Sequence, residues 1–250
     1  MSSPHLLKRT QGLAFDSAAD DYELGRTGWP PEVLDGADGS VALDLAAGTG
    51  KLTRLLVKRF ARVVAVEPAD AMRQLGERLV PGAEWVAGTA EEVPLAAESA
   101  DAAFVAEAFH WFDGPRAARE LARVLRPRAA LVVLFNGWDA PYDPPLPQEA
   151  LAAIQEVAAR TGPAGRPKLE AGEWRAAFEG VPFAPFEYRE VPHVDVTDRE
   201  SVIAYYLSVS SVAARPRAER DELRETLRRL VPEGTYTLRL RAEVWSTRRL

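Results

Sequence analysis

The sequence predicts an α/β fold, a three-layer sandwich with a mostly parallel seven-stranded sheet and helical cap insertions. Three observations carry this expectation. Apolar runs of strand length alternate with stretches of helical spacing between residues 41 and 135. The first two runs end in an acid, Asp44 and Glu67. Two later segments, 186–196 and 235–245, alternate as strands do and complete the sheet. Four helices between five apolar strands imply right-handed crossovers and a parallel sheet covered on both faces.

The first forty residues are polar and turn-rich. Val41 to Asp44 then forms a buried strand bounded by a glycine turn. Leu52, Leu55, Leu56 and Phe60 recur at helical spacing, which predicts a helix from Thr49 to Phe60. Arg62 to Glu67 is the second strand. Pro68 suits the first turn after it, and Ala71 to Leu79 is the next helix. Glu84 to Ala87 and Ala100 to Ala106 are the third and fourth strands, with Glu91 to Ala97 a loop or a broken turn. Gly114 to Leu125 is a helix with Pro115 near its start and Pro127 just past its end, and Ala129 to Phe135 is the fifth strand. Four prolines within 141–147 then forbid a regular element, because each removes a donor and fixes φ. Further helices are expected over 150–160, 173–178 and 218–230, and another, capped by Thr197 or Asp198, running to Val212.

These elements describe one domain over 1–250. Residues 13–136 are expected to form the core of the sheet, 137–234 the helical cap insertions, and 235–247 the final sheet strand. Composition narrows the function classes. A net charge of -6 argues against nucleic acid, whose phosphates draw on clustered Lys and Arg. With no cysteine and three scattered histidines, there is no metal-binding signature. The first eleven residues lack the apolar stretch of a signal peptide, and the run 129–135 is too short to span a bilayer. The expectation is a soluble, cytoplasmic protein without membrane insertion, a monomer or a homodimer.

In an open parallel sheet, ligands sit beyond the carboxyl ends of the strands, near the point where strand order reverses. The segment after the first strand is Asp44-Leu-Ala-Ala-Gly48-Thr-Gly50. A Rossmann-like dinucleotide site would continue G-x-G-x-x-G, with pyrophosphate on the helix N-terminus. Here Thr53 stands where the third glycine belongs, and the Asp44 carboxylate would repel a pyrophosphate. A ligand carrying an ammonium and a sulfonium suits that acid. Glu67, at the end of the second strand, lies roughly 20 residues on, where an acid accepts both hydroxyls of an adenosine ribose.

Taken in order, Asp44 to Gly50, Val64-Ala-Val-Glu67-Pro68, Gly88-Thr-Ala-Glu-Glu-Val-Pro-Leu95 and Ser99-Ala-Asp101 resemble the consecutive motifs of class I S-adenosylmethionine-dependent methyltransferases. Phe109-His-Trp-Phe-Asp113 and Leu125-Arg-Pro127 extend the likeness over residues 13–136. The flavour is the small-molecule branch that includes trans-aconitate and ubiquinone/menaquinone-type methyltransferases. The resemblance implies S-adenosyl-L-methionine as cofactor, with S-adenosyl-L-homocysteine as product and a small-molecule methyl acceptor. It assigns Asp44, Ala46, Gly48, Thr49 and Gly50 to the methionine end, Glu67 to the ribose, and Pro68, Met72, Ala90 and Glu91 to the surroundings of the adenine. Glu107 would end the fourth strand under the sulfonium. Phe15-Asp16, Tyr22, Arg26 and Trp29-Pro30 resemble the family's N-terminal cap, in which Tyr22 and Arg26 approach the cofactor carboxylate. Four positions depart from the pattern. Ala46 replaces a glycine, which is tolerable if its φ is negative; Thr89 replaces an aspartate; Arg128-Ala129 replaces a double glycine.

In such a reaction the enzyme chiefly aligns the nucleophile and excludes water, and a base is needed only for a protonated acceptor. His110 is the candidate base, and His110, Trp111 and Trp138 are candidate substrate contacts. Tyr142, Trp174, Tyr205 and Tyr206 line a pocket or pack as core. Two other readings share these residues: a non-catalytic protein that binds the cofactor or its product, and an NAD-dependent oxidoreductase.

Overall fold

Seven strands assemble in the order β3-β2-β1-β4-β5-β7-β6. They are β1 (Val41–Leu45), β2 (Arg62–Val66), β3 (Glu84–Val86), β4 (Ala100–Ala106), β5 (Leu125–Trp138), β6 (Glu187–Asp198) and β7 (Thr235–Arg248). This computed structural model describes residues 18–161 and 173–250, so Phe15 and Asp16 lie outside it. β1 pairs in parallel with β2 and β4, β2 with β3, and β4 with β5. Backbone bonds join Arg128 to Arg249 and Asp139 to Arg239, so β7 runs against β5. The chain moves outward from β1 to β3 and returns to β4 on the other side of β1. That reversal lies between β1 and β4.

The helices are α1 (Ala19–Gly25), α2 (Thr53–Arg59), α3 (Asp70–Leu79), α4 (Gly114–Val124), α5 (Gln148–Ala159), α6 (Arg199–Leu207), α7 (Ser210–Ala213) and α8 (Arg217–Leu230). Several expectations need correction. The turn-rich opening contains α1 and a 3-10 turn at Pro31–Leu34. Three helices rather than four connect the first five strands, since residues 87–99 form a loop. α2 starts at Thr53 rather than Thr49, because Gly48 and Gly50 take φ of 59° and 87°. The helix expected to reach Val212 ends at Leu207, with Ser208 as its C-cap, and resumes as α7. Asp198, not Thr197, caps α6 by accepting from Ser201 N at 2.8 Å.

The chain forms two compact units. Among the described residues, the larger holds 28–136, 173–191 and 242–250; the smaller holds 18–27, 137–161 and 192–241. In the larger, the two-residue period of the strands sorts side chains onto two faces. Leu43, Leu45, Val64, Val66, Ala103, Val105, Leu131 and Val133 pack with Ala117, Ala118 and Leu121 of α4. Ala42, Val63, Ala102, Phe104, Val132 and Leu134 pack with Leu52, just before α2, and with Leu56 of α2. Trp174 and Phe178 belong to the α4 face, where their rings lie 5.2 and 5.3 Å from Phe109.

In the smaller unit, Ile154, Ile203, Leu207, Leu223, Leu227 and Leu238 form the core. Trp138 and Tyr205 stack there at 5.1 Å, and Trp138 meets Tyr142 at 5.4 Å. Gly25 allows α1 to touch α6, since a Cβ there would lie 2.0 Å from Tyr205 N. No described helix is long and apolar enough to cross a membrane.

Candidate functional site

Asp44 and Glu67 lie at the carboxyl ends of neighbouring parallel strands, and both are buried. Asp44 is the fourth residue of β1, paired with Ala65 on one side and Phe104 on the other. Thr53, the first residue of α2, donates its hydroxyl to Asp44 Oδ2 at 2.6 Å. The position that lacks the third glycine of a dinucleotide turn therefore carries the bond that orients the acid. Glu67 accepts from Gly48 N through Oε2 at 2.9 Å and from Ala69 N through Oε1 at 2.8 Å. Each oxygen keeps a second lone pair for a ligand hydroxyl. Arg73 holds the strand end from below, donating to Glu67 O at 3.1 Å.

Burial dominates the electrostatics. It pushes the Asp44 carboxyl up to about 7, against the Thr53 hydrogen bond. It likewise pushes Glu67 up to about 7, opposed by the Ala69 and Gly48 N–H groups and reinforced by Asp44. Two desolvated acids facing one turn are stabilised in their charged form by a cation.

The turn between them is built from left-handed backbone. Ala46, Gly48 and Gly50 have φ of 58°, 59° and 87°. The condition of a negative φ at Ala46 therefore fails, and a side chain sits where glycine is favoured. Arg128, the other substitution of a family glycine, also takes a positive φ, 68°. Gly50 lies tight against β3: a Cβ there would come 3.0 Å from Val80 and 3.2 Å from Trp85. The Thr49 hydroxyl is fully buried and has no hydrogen-bond partner among the described residues. An orphaned buried hydroxyl, paired acids and a turn that brings backbone close fit a ligand with an amino-acid end and a ribose.

The remaining candidates divide. In the larger unit, Met72 is buried within α3 and Pro68 is exposed. Ala90 is buried, and Glu91 accepts from Asp113 N at 2.8 Å. Glu107 has a φ of 54°, and its Oε1 accepts from Asn136 N at 2.5 Å across the β4 and β5 ends. His110 and Trp111 sit on a 3-10 turn, their rings 4.6 Å apart and half-buried. Asp101 serves the opposite end of the sheet, where it accepts from Ser40 N and Val41 N. In the smaller unit, Arg26 lies over the Tyr22 and Tyr205 rings at 5.5 and 4.8 Å and donates to Ser208 Oγ at 2.9 Å. Trp138 belongs to that unit's core. Among the described residues, no cluster of His, Cys, Asp or Glu could hold a metal ion.

A methyltransferase-domain profile matches residues 43–133, the span that carries Asp44, the turn and Glu67. An uncharacterized methyltransferase of Mycobacterium tuberculosis is 46% identical over 135 residues, 53% of this chain and 56% of that protein. The chain thus spans about half the length of this curated relative. A methyltransferase-like protein of Schizosaccharomyces pombe is 27% identical over 222 residues, 88% of this chain and 83% of that protein. Among solved structures, a candidate type II methyltransferase from Anaeromyxobacter dehalogenans aligns with a TM-score of 0.62 and 26% identity, covering 89% of this chain and 97% of that one. Residues 43–133 thus match a methyltransferase domain, and they are carried here on a seven-stranded α/β sheet.

Proposed function

We propose that the chain transfers a methyl group from S-adenosyl-L-methionine to a small-molecule acceptor. The observation that carries this reading is the pair of buried acids, Asp44 and Glu67, facing one left-handed turn. When bound, the cofactor supplies a methyl group already activated by its sulfonium. Asp44, the backbone of Ala46 to Gly50 and the Thr49 hydroxyl hold its amino-acid end. Glu67 accepts from the ribose diol with the lone pairs left by Gly48 and Ala69. Pro68, Met72, Ala90 and Glu91 border the base.

The sign of charge separates this reading from an oxidoreductase. A buried acid directly before the turn repels a pyrophosphate and attracts a cation. Catalysis by the chain consists of alignment and exclusion of water. Glu107 fixes the end of β4 through Asn136 N, and His110 and Trp111 contact the acceptor. His110 removes the proton when the acceptor is a phenol or another hydroxyl. Residues 137–234 select the acceptor.

Substitution tests both halves. Asp44→Ala and Glu67→Ala each weaken cofactor binding by about 1–3 kcal/mol, the scale of a charge-assisted hydrogen bond. Unchanged affinity in both variants would sink the assignment. His110→Ala lowers transfer of a labelled methyl group more than it lowers cofactor affinity; undiminished transfer reduces His110 to scaffold.

A further inference from the structure

Residues 88–95, which follow β3, are fastened to α4 by a pair of its side chains, Glu120 and Arg123. Val93 N donates to Glu120 Oε2 at 3.0 Å. Arg123 answers from the next turn of the helix, donating to Val93 O at 2.9 Å and to Leu95 O at 2.8 Å. The two side chains also join each other in a fork, Nε to Oε1 and Nη2 to Oε2, each at 2.8 Å. An ordinary i,i+3 pair on a helix surface would satisfy only itself. This one holds three backbone groups of one loop. Further up α4, at its cap, Asp113 N donates to Glu91 Oε1 at 2.8 Å, so the loop is tied to the helix at both ends.

The loop's place in the sheet gives that clamp a purpose. β3 lies next to β2, and Glu67 N donates to Val86 O at 3.1 Å. Gly88 packs beside the end of β2, where a Cβ would lie 2.9 Å from Val66 Cγ1 and 2.6 Å from Pro94 Cδ. The strand order β4-β1-β2-β3 sets a direction across the site. A ligand with its amino-acid end at Asp44 on β1 and its ribose at Glu67 on β2 continues, base first, toward the end of β3. Resting on the cofactor reading above, we infer that Glu120 and Arg123 are positioning residues that hold segment 88–95 in the shape that recognises the adenine base. Neither touches the reacting atoms; both act through the loop. Arginine is required at 123 because only its planar fork reaches a carboxylate and two carbonyls together.

The test titrates the full chain and its Arg123→Lys variant, by calorimetry, with S-adenosylhomocysteine and with S-inosylhomocysteine, in which an oxo group replaces the 6-amino group of the base. The unaltered chain prefers the adenosyl ligand. Arg123→Lys loses about fivefold or more of its affinity for the adenosyl ligand, the scale of one net hydrogen bond, and keeps its affinity for the inosyl ligand. Glu120→Gln preserves an acceptor for Val93 N but not the ion pair. It shows a smaller shift in the same direction, and it carries the test should Arg123→Lys fail to fold. Equal losses for the two ligands, no loss, or an unaltered chain that binds both alike would overturn the inference and leave the cofactor reading standing. Failure of the unaltered chain to bind either ligand would overturn the cofactor reading, and this inference with it.

Discussion

Ala46 and Arg128 hold left-handed backbone with side chains attached, at φ of 58° and 68°. For an L-residue other than glycine, that conformation costs about 1–2 kcal/mol. Ala46→Gly and Arg128→Gly should therefore each stabilise the protein by about 0.5–1.5 kcal/mol, after the greater chain entropy of unfolded glycine is set against the relieved strain. Thermal unfolding of the two variants measures this. Arg128 stands away from the acids and tests strain alone, whereas Ala46 lies in the turn and tests whether strain there also shapes the ligand site. The sequence made both positions visible as departures from a glycine pattern but not their φ. Whether a residue is forced past φ = 0 depends on how the strands on either side are anchored. At residue 46 those anchors are the Ala47 N to Val66 O bond at 3.1 Å and the Gly50 N to Ala47 O bond at 2.9 Å.

At the scale of elements, the strands were legible because their apolar runs are bounded by turns and acids. Asp44 and Glu67 were legible for the same reason: each closes a run. Helix starts were less so. Apolar spacing extends α2 back to Thr49, yet the turn residues 48–50 follow backbone angles that periodicity does not report. The roles of Thr53, Arg73, Glu120 and Arg123 were not legible, because their partners lie on other elements or in backbone. The packing of α3 on β3 belongs here too. Gly76 faces Trp85, and a Cβ at that position would lie 2.2 Å from the indole ring. Trp85 itself is fixed by donating to Val80 O at 3.2 Å and touches the site of a Gly50 side chain. Gly76→Ala should destabilise by about 1–3 kcal/mol through overpacking, despite alanine's better helix propensity. A midpoint of urea unfolding equal to or above that of the unaltered chain would contradict this packing argument.

For the whole molecule, the two buried acids make stability depend on pH. Folded, Asp44 and Glu67 keep their protons up to about 7; unfolded, they release them near 3.8 and 4.5. Between those values the folded state binds more protons, so the stability of the ligand-free chain falls as pH rises from about 4 to 7 and levels off above that. Asp101, Glu120, Asp198 and Glu200 are shifted the other way, chiefly by hydrogen bonds and arginine partners, and lose their contribution on acidification below the ordinary carboxylate range. Asp44→Asn retains an acceptor for Thr53 and removes the ionisation. It should flatten the decline and raise the melting temperature at pH 8, while weakening cofactor binding. A pH profile identical to that of the unaltered chain would show that Asp44 does not titrate in this window.

The site therefore sets stability against binding: the acids are costly when ionised and buried, and a cationic ligand offsets that cost. The affinity for S-adenosyl-L-methionine should accordingly rise from pH 6 to pH 8, as the carboxylates ionise without an added proton release. The most direct measurement is a calorimetric titration of the full chain at pH 8 with S-adenosyl-L-methionine, S-adenosyl-L-homocysteine and NAD in parallel. Saturable binding of the first two and none of NAD is expected, with Asp44→Ala weakening both adenosyl ligands. Binding of NAD alone would show that the Asp44 carboxylate does not exclude a pyrophosphate, and with that the assignment of the site to S-adenosyl-L-methionine would fall.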